Sequence, residues 1–423
     1  MSLNYLQGFK NHFVTESEKG ILPVGQNSPQ TVAKGLFAEQ ISGSAFTAPR
    51  HLNLRTWVYR KHPSVSHGNF ESKVQIENFV GSNFNQLSAP PTQMRWNPLE
   101  PARTKGNFLE SLHTVSGSGG PEAGHGCAIH LYATQESMKN SYFYNADAEM
   151  MIVPTEGKLL LRTEMGKLEI GPLEIAVIPK GIRFAVDLQE KSARGYLCEN
   201  FGNPFVLPEL GPIGANGLAN PRDFQAPTAW VEEKTGKVQL FAKFLGEIWT
   251  SEAPHTPLDV VAWHGNFTPY KYNLLHFNTI NSVSFDHPDP SIFTVLTSPS
   301  ETAGTANIDF VIFPPRWMVS EHSFRPPYFH RNVMNELMGL IQGQYDAKSD
   351  GFAPGGLSLH NCMSGHGPDK ETFDKASKAE LKPEKYDNTM AFMFESRHVF
   401  RTTPWALSSD LRQNDYPNCW LGL

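Results

Sequence analysis

Residues 321–369 read EHSFRPPYFHRNVMNELMGLIQGQYDAKSDGFAPGGLSLHNCMSGHGPD, and this stretch constrains the fold and the chemistry more tightly than any other part of the chain. It contains His330, Glu336 and His366, with a Pro-Gly-Gly turn shortly before His360. Two imidazoles and one carboxylate on a β-rich frame are the protein ligands of a mononuclear non-haem iron(II) site, which keeps adjacent positions open for substrate and dioxygen. The stretch therefore predicts a metal centre on a β-framework.

The spacing between His330 and Glu336 restricts how the chain runs between them. On a straight strand, residues six positions apart share a face but lie roughly 20 Å apart, and on a helix they point about 120° away from each other. Neither element brings both side chains to one ion, so we expect the chain to turn near Asn332. His366 then has to arrive from a separate element beyond the Pro-Gly-Gly turn.

Residue types alone leave other interpretations of this stretch open. Five of the 16 histidines lie between His287 and His366, which is only a weak enrichment. A hydrogen-bonded structural role for these side chains fits the same spacing. The donor types also leave iron, zinc, manganese and nickel open, because similar β-frames hold any of these metals.

A second β-rich segment earlier in the chain shows related spacing. Short β-prone runs punctuated by glycine or proline extend over residues 127–179, and the string NADAE at residues 145–149 is followed by a Pro-Lys-Gly turn. These offsets resemble the paired motifs of the cupin superfamily, a group of β-barrels. Asn145, Asp147 and Phe184 fill the ligand positions in this half. Because phenylalanine cannot coordinate a metal, we interpret the first half as a metal-free scaffold.

Length and composition predict a mainly β protein with two domains. A chain of 423 residues is too long for one hydrophobic core, and 34 glycines and 32 prolines favour short strands. We expect a jelly-roll-like β-sandwich domain at residues 1–280 and a cupin-like β-barrel catalytic domain at residues 281–423. We also expect a flexible surface loop at Ser116–Gly126 and helices at Val238–Trp249 and Asp369–Leu381.

Charge and apolar patterning exclude several classes of partner. The net charge of −6 and the pI near 6.2 argue against nucleic acid, which requires a basic surface. No apolar run of about 18 residues occurs, so we expect no membrane-spanning helix, and the first residues lack an apolar signal segment. The 4 cysteines lie far apart without CxxC spacing, which fits a reducing cytoplasm.

Long strings distributed almost end to end resemble the homogentisate 1,2-dioxygenase family. They include LPVGQNSPQ (Leu22–Gln30), AEQISGSAFTAPR (Ala38–Arg50), GPIGANGLANPRDF (Gly211–Phe224), VVAWHGNFTPYKY (Val260–Tyr272), FRPPYFHRN (Phe324–Asn332), GFAPGGLSLH (Gly351–His360) and TMAFMFES (Thr389–Ser396). Strings of this length and number are far more specific than a bare cupin pattern. One departure lies beside an expected ligand, where Phe329 replaces the tyrosine or tryptophan common in the family.

The resemblance implies an iron(II) site and a base beside it. The family's iron ligands fall on His330, Glu336 and His366, and its proposed acid/base histidine falls on His287. An imidazole titrates near pH 6.5, which suits it to take a proton from a phenol. The residues alone favour a structural role for His287 in the tight DHPDP turn.

The resemblance also implies residues that contact the substrate. Tyr345 and His366 fall on substrate-binding positions, and His360 falls on a position that supports a ligand through a hydrogen bond. Without the resemblance, packing is the favoured explanation for Tyr345, and for His360 a loop hydrogen bond is as good an explanation as a supporting role. Three arginines within or just before residues 321–369 could bind the substrate's acetate group or form structural salt bridges, and we assign neither role to them: Arg316, Arg325 and Arg331.

The implied activity is ring cleavage of homogentisate by dioxygen to 4-maleylacetoacetate, a step of tyrosine and phenylalanine catabolism. The family assembles as trimers that pair into hexamers, so we expect a homotrimer or homohexamer. Two alternatives remain at this stage. A cupin-type isomerase or other metal enzyme would consume no dioxygen, and a metal-free bicupin would serve in storage or binding and retain almost no iron.

Overall fold

The computed structural model describes residues 3–210, 218–282, 284–286 and 293–423, and strands dominate these ranges. The strands are β1 (Tyr5–Gln7), β2 (Phe13–Glu16), β3 (Phe37–Ser42), β4 (Arg55–Arg60), β5 (Ser72–Val74), β6 (Met94–Trp96), β7 (His113–Gly120), β8 (His125–Thr134), β9 (Ser141–Asn145), β10 (Glu149–Glu156), β11 (Leu159–Thr163), β12 (Gly166–Ile170), β13 (Glu174–Ile178), β14 (Phe184–Leu188), β15 (Ala193–Asn200), β16 (Gln225–Pro227), β17 (Thr235–Phe244), β18 (Glu247–His255), β19 (Val260–Gly265), β20 (Tyr270–Asn273), β21 (Thr294–Pro299), β22 (Ala306–Phe313), β23 (Arg316–Met318), β24 (Asn335–Gln342), β25 (Leu357–His360), β26 (Glu384–Tyr386), β27 (Met390–Ser396) and β28 (Arg401–Thr402). The α-helices are α1 (Lys370–Ala376) and α2 (Pro404–Ser408). Within the described ranges, no helix has the length and apolar character that crossing a bilayer requires.

A nine-stranded sheet forms the middle layer of the molecule. Its strand order is β1-β16-β20-β13-β10-β15-β8-β7-β28. Side chains alternate across a strand, so in β10 Met150 and Ile152 enter one core while Met151 and Val153 enter the other. The first core is shared with the seven-stranded sheet β12-β11-β14-β9-β17-β18-β5, and the second with the six-stranded sheet β21-β22-β27-β24-β25-β6. The continuous apolar run in β10 is what a strand buried on both faces requires.

The prediction of a mainly β, two-domain cupin-type fold is confirmed. A sandwich-like N-terminal part packs against a C-terminal cupin-like barrel, and the two parts exchange edge strands. β6 pairs with β25, with Trp96 opposite Leu357, while β28 pairs with β7, with Arg401 opposite Gly117. These exchanges tie the two parts into one framework, and the boundary between residues 280 and 281 stays a prediction.

The helix expected at Val238–Trp249 is wrong, because this segment is the hairpin formed by β17 and β18. Val238, Leu240 and Ala242 are buried and alternate with the more exposed Gln239 and Phe241, which is a period of two. Leu245 and Gly246 form the turn with φ of 51° and 81°. A two-residue turn with positive φ at both positions matches the twist of an antiparallel hairpin. Tertiary burial therefore decides this segment against its helical composition.

The flexible loop expected at Ser116–Gly126 is also wrong, because most of this tract lies in the β7–β8 hairpin. Its glycines provide room for neighbours. A Cβ at Gly117 would lie 2.4 Å from the Phe84 ring. Gly126 N–H donates to Asn307 Oδ1 at 2.6 Å, and Asn307 Nδ2 donates back to Gly126 O at 3.0 Å. The third expectation, a helix within residues 369–381, is confirmed by α1.

The first-half positions that resemble cupin ligands have structural partners. Asn145 donates from Nδ2 to Glu199, and Asp147 Oδ2 accepts from the Lys243 ammonium at 2.9 Å. Phe184 packs edge-on against another ring in the core of the N-terminal part. The two polar positions thus belong to a buried ion network built around a lysine.

The charges of this network depend on one another. The Lys243 ammonium lies 2.9 Å from Asp147 and 3.2 Å from Glu199, and all three side chains are almost fully buried. Burial by itself raises the pKa of the Glu199 carboxyl, but Lys243 and His130 outweigh it and lower that pKa to about 2. Since the folded-state pKa lies below the ordinary value of 4.5, ionised Glu199 stabilises the fold above pH 4.5, and this stabilisation is lost as the pH falls toward 2.

We predict that Lys243→Met destabilises the protein by roughly 3–5 kcal/mol at pH 7, because it leaves two buried carboxylates without their cation. The difference from wild type should shrink as the pH falls from 4.5 toward 2, because the stabilisation from ionised Glu199 is lost over that range. Urea denaturation followed by circular dichroism at pH 7 and pH 3 measures both effects. As a matched control, Lys73→Met removes a half-exposed ion pair with Glu247 and should cost less than about 1 kcal/mol. Equal losses for the two variants would contradict the network's role.

Candidate metal centre

The backbone brings the three predicted ligands together from separate elements. Glu336 lies on β24 directly opposite His360 on β25. His330 and His366 form an isolated antiparallel bridge, in which His330 N–H donates to His366 O at 2.9 Å and His366 N–H donates back at 3.1 Å. Between His330 and Glu336 the chain turns at Asn332, whose Oδ1 accepts from Met334 N–H. The turn that the six-residue spacing demanded is therefore present.

The side chains of this cluster converge on a small volume. Glu336 Oε2 lies 2.8 Å from His366 Nε2, and Glu336 Oε1 lies 3.6 Å from His330 Nε2. One ligand atom from each residue lies within 4.8 Å of the other two. The His330 and His366 rings meet at 62° with their centroids 4.2 Å apart, so their nitrogens approach from different directions. The geometry is that of three donors around one ion.

The hydrogen bonds of the two imidazoles at Nδ1 indicate how each ring is oriented toward Glu336. His330 Nδ1 lies 2.8 Å from Tyr328 O. His366 Nδ1 lies 2.9 Å from Ser364 O. A carbonyl oxygen only accepts, so each Nδ1 carries a proton, and a ring in its neutral form presents a lone pair at Nε2. In that form the two lone pairs face the Glu336 carboxylate, which also only accepts. Converging acceptors fit a cation, and hydrogen bonds from Nδ1 to carbonyl groups are how proteins orient metal-binding histidines.

Glu336 is held in its charged form. Burial raises the pKa of its carboxyl, but the His330 and His366 rings beside it, followed by the hydrogen bond from Asn332, hold the pKa well below its usual range. Asn332 Nδ2 donates to Glu336 Oε1 at 2.8 Å and to Glu395 Oε1 at 2.7 Å. An ionised, oriented carboxylate is the ligand form that a metal dication requires. Asn332 thus supports the cluster as well as forming the turn.

His360 lies beside the cluster and contacts it through its ring. The His360 and His366 rings are parallel within 6°, with centroids 4.1 Å apart. Its hydrogen bond joins Nε2 to the Tyr416 hydroxyl at 2.9 Å. Burial, then the neighbouring His366, holds the pKa of His360 well below its usual value. His360 is therefore a neutral ring that stacks on His366 and is bonded to Tyr416, and its expected support of a ligand stays a prediction.

A cavity of about 500 Å³ opens onto the three donors. Tyr345 lines it, as does His360, and apolar side chains such as Phe313 and Met393 form part of its wall. Burial, then the charge of Asp346, raises the pKa of Tyr345 well above its usual value, so the phenol stays protonated. A cavity of this size with a few convergent polar groups suits a small aromatic ligand.

The remaining predicted residues are His287 and three arginines. His287 lies outside the described residues, so its role stays a prediction. Among the three arginines considered for the acetate group, Arg316 pairs with Asp346, and Arg325 donates to the Lys382 carbonyl. Arg331 lines the cavity but is exposed. The first two thus have structural partners.

Lys348 is a cavity residue that sequence reasoning missed. It is buried, its ammonium donates to Gly367 O at 2.8 Å, and it lies over the Trp420 ring at 4.6 Å. Its segment, QGQYDAK, carries no pattern that distinguishes this lysine from a surface lysine. Only its closeness in space to the C-terminal aromatic residues shows that it is enclosed.

Two imidazoles and one carboxylate that converge within a β-framework are a donor set typical of mononuclear metal enzymes. Comparison with models of protein families identifies the family within that class. The model described as "Homogentisate 1,2-dioxygenase N-terminal" matches residues 4–274, and that described as "Homogentisate 1,2-dioxygenase C-terminal" matches residues 275–423. The chain belongs to the homogentisate 1,2-dioxygenase family and is a metal-dependent dioxygenase.

Solved structures similar to this chain include three proteins from bacteria. Protein Ylba from E. coli is 10% identical over 74% of this chain and 95% of its own, with a TM-score of 0.30. A mutant of Bacillus subtilis oxalate decarboxylase is 11% identical over 80% and 81%, with a TM-score of 0.26. A cupin 2 conserved barrel domain protein from Leptotrichia buccalis is 9% identical over 66% and 84%, with a TM-score of 0.26. All three are distant.

We predict that Glu336→Ala loses its bound metal while the fold is retained, because the variant removes the only carboxylate of the described donor set. Metal content after dialysis should fall at least about tenfold relative to wild type. Elemental analysis measures it, and circular dichroism checks the fold. Glu371→Ala, an exposed change on α1, is the control and should leave metal content unchanged. Full metal retention by Glu336→Ala would refute the ligand assignment.

Proposed function

We propose that the protein opens the aromatic ring of homogentisate with dioxygen, at an iron(II) ion held by His330, Glu336 and His366. The product would be 4-maleylacetoacetate, in tyrosine and phenylalanine catabolism. The observation that carries the proposal is the convergence of two imidazole lone pairs and one carboxylate within a chain matched by the family along its length. When bound, iron(II) supplies the redox chemistry that allows dioxygen to react with the electron-rich ring.

The charges of the described side chains favour an anionic substrate. Two neutral imidazoles and ionised Glu336 would leave a dication with a net charge of about +1. His360 stays neutral and adds no further charge. The protonated phenol of Tyr345 can donate a hydrogen bond to a substrate oxygen. We therefore assign substrate contacts to Tyr345 and to the metal-bound edge of His366, with His360 positioning that ring.

Lys348 is suited to hold the carboxylate of the substrate's acetate group. Among the described residues it has no carboxylate within ion-pair distance, and its direct contacts are a carbonyl and aromatic rings. A buried charge without an opposite partner is costly, and an anionic ligand removes that cost. Burial lowers the pKa of Lys348 to about 8, against the raising influence of Cys419 and Asp369. The ammonium is therefore charged at pH 7 and loses its charge as the pH rises through 8.

We predict that Lys348→Met raises the KM for homogentisate by about 10- to 100-fold, with a smaller effect on kcat, because a charge-assisted hydrogen bond is lost. In wild type, KM should rise above pH 8, and in the variant this rise should be absent. Oxygen-electrode kinetics from pH 6.5 to 9 measure both. Lys385→Met removes a half-exposed lysine paired with Asp387 and serves as the control. An unchanged KM in Lys348→Met would remove this lysine from the substrate site.

His287 is assigned as the base that takes the phenolic proton, on the family resemblance and on the ordinary imidazole pKa near 6.5. We predict that His287→Ala keeps its iron but turns over about 100- to 10,000-fold more slowly, the usual contribution of general acid/base catalysis. Single-turnover kinetics with parallel iron analysis measure the two quantities. His322→Ala, an exposed change, is the control. A wild-type rate in His287→Ala would leave this histidine structural.

The activity is tested by dioxygen uptake with homogentisate after reconstitution with a single metal. We expect one dioxygen consumed per homogentisate, and a new ultraviolet-absorbing product, with iron(II) but not with zinc(II) or manganese(II). Turnover without dioxygen uptake would indicate an isomerase-like enzyme instead. Failure to retain any added metal would indicate a binding protein and would overturn the proposal.

We further propose a homotrimer or homohexamer located in the cytoplasm. The assembly follows from family resemblance, and the location from the spacing of the 4 cysteines. Two of these, Cys127 and Cys198, are buried free thiols. Sedimentation equilibrium should give three or six times the chain mass of 47.2 kDa. A monomer at micromolar concentration would contradict the proposed assembly.

A further inference from the structure

A second group of metal-type donors lies in the N-terminal part, away from the cavity. His62 follows β4, His255 is the last residue of β18, and Asp259 directly precedes β19. One ligand atom from each lies within 4.8 Å of the other two. None of the three lines the cavity of the candidate metal centre. They also differ from the first-half positions expected to be metal-free, Asn145 and Asp147.

His255 presents a buried lone pair toward this group. Its Nδ1 lies 2.9 Å from Thr256 O, and because a carbonyl only accepts, Nδ1 carries the proton. The Nε2 atom of the neutral ring is then an acceptor. That atom is buried and has no hydrogen-bond partner among the described residues. An unpartnered buried acceptor is costly, and the Nδ1 bond to a carbonyl is the arrangement that orients metal-binding histidines.

Asp259 is held in place as a second ligand. Its Oδ1 accepts from Arg60 Nε at 3.1 Å and Nη2 at 2.9 Å. Its Oδ2 accepts from the His62 backbone N–H at 2.8 Å and lies 2.9 Å from His62 Nδ1. The side chain is almost fully buried. Asp259 is therefore oriented by its neighbours, with one oxygen directed at His62.

The surrounding charge favours a cation. Arg60 also pairs with Glu39 at 3.3 Å and with Glu164 at 3.0 Å, in addition to Asp259. One guanidinium is thus shared among three carboxyl groups. A dication bound to Asp259 would meet negative potential that Arg60 only partly cancels.

His62 completes the group from the solvent side. Its side chain is 47% exposed, and its ring faces that of His255 with centroids 3.8 Å apart and 17° between the planes. Stacked rings direct their lone pairs along parallel planes, so rotation of the half-exposed His62 ring is needed to point both nitrogens at one ion. The proton now between His62 Nδ1 and Asp259 then moves to Nε2 of the same ring. Because His62 is half-exposed, a water molecule can reach the ion from solvent as its fourth ligand.

We propose that His62, His255 and Asp259 bind a divalent transition-metal ion, of which zinc(II) is the best match. Two imidazole nitrogens and one carboxylate oxygen are borderline donors that suit zinc, and zinc tolerates distorted tetrahedral geometry. The ion ties the end of β4 to the β18–β19 connection. We assign it a structural role, because none of the three residues lines the cavity of the candidate metal centre.

The test uses the His330→Ala/His366→Ala double variant, in which the candidate iron site is removed. We expect about one zinc ion per chain after equilibration with zinc and dialysis, and a higher thermal midpoint with zinc than without. Adding His255→Ala should weaken zinc binding at least about tenfold and abolish the thermal shift. The matched control is His51→Ala, an exposed histidine outside the group. Calorimetric titration with zinc chloride measures the affinities.

Zinc absorption-edge anomalous scattering from crystals of the full-length protein then locates the ion. A peak between His62, His255 and Asp259 supports the proposal. A peak elsewhere, less than about a tenth of an equivalent of zinc in the double variant, or equal affinity after His255→Ala would overturn it. In a chain that keeps His330 and His366, the His255→Ala change should leave dioxygen uptake unchanged. Failure of the ring-cleavage proposal would appear in dioxygen uptake, and failure of this proposal in zinc content.

Discussion

Two backbone hydrogen bonds between His330 and His366 are the interaction on which the candidate metal centre depends. They hold two histidines from distant turns side by side, while β24 presents Glu336 to both. The bonds from Nδ1 to carbonyl groups then leave both Nε2 lone pairs facing a carboxylate. Three acceptors in one small, largely buried volume repel one another unless a cation joins them. This donor set is therefore suited to bind a cation.

The layered fold explains how that cluster is kept rigid. The middle sheet is buried on both faces, and its second core is continuous with the six-stranded sheet that carries Glu336 and His360. Tyr196, on β15 of the middle sheet, donates from its hydroxyl to Gly356 O at 2.7 Å, within the Pro-Gly-Gly turn. The N-terminal part therefore contributes to the site by fixing the barrel, as well as by supplying the edge strand β6.

Buried charge is handled differently in the two parts. In the N-terminal part the Lys243 ammonium compensates Asp147 and Glu199, so a protein cation occupies a position between carboxylates. In the C-terminal part, the ring nitrogens of His330 and His366 face the Glu336 carboxylate, in the place that the Lys243 ammonium takes beside Glu199. Lys348 shows the opposite condition, a buried cation without a described carboxylate partner. Both C-terminal groups lie at the same cavity, which is where a ligand would complete the charge balance.

Residue pattern and spacing are enough to predict the β class, the apolar strands, the donor types at His330, Glu336 and His366, and the turn at Asn332. These follow from periodicity and spacing within one segment, and each is a local property. Whole-chain resemblance pointed to the family without any geometry. Local patterns failed at Val238–Trp249 and at Ser116–Gly126, where burial against distant strands and rings overrides composition.

Which side chains contact one another is seen in the tertiary structure and not in the sequence. It joined His360 to Tyr416, enclosed Lys348, and brought His62 within reach of Asp259, 197 positions further along the chain. Contacts of this kind depend on strand pairing between remote segments and on the space that glycines leave. The sequence of a single segment does not show which distant segments it contacts, because long-range pairing depends on the packing of the whole core.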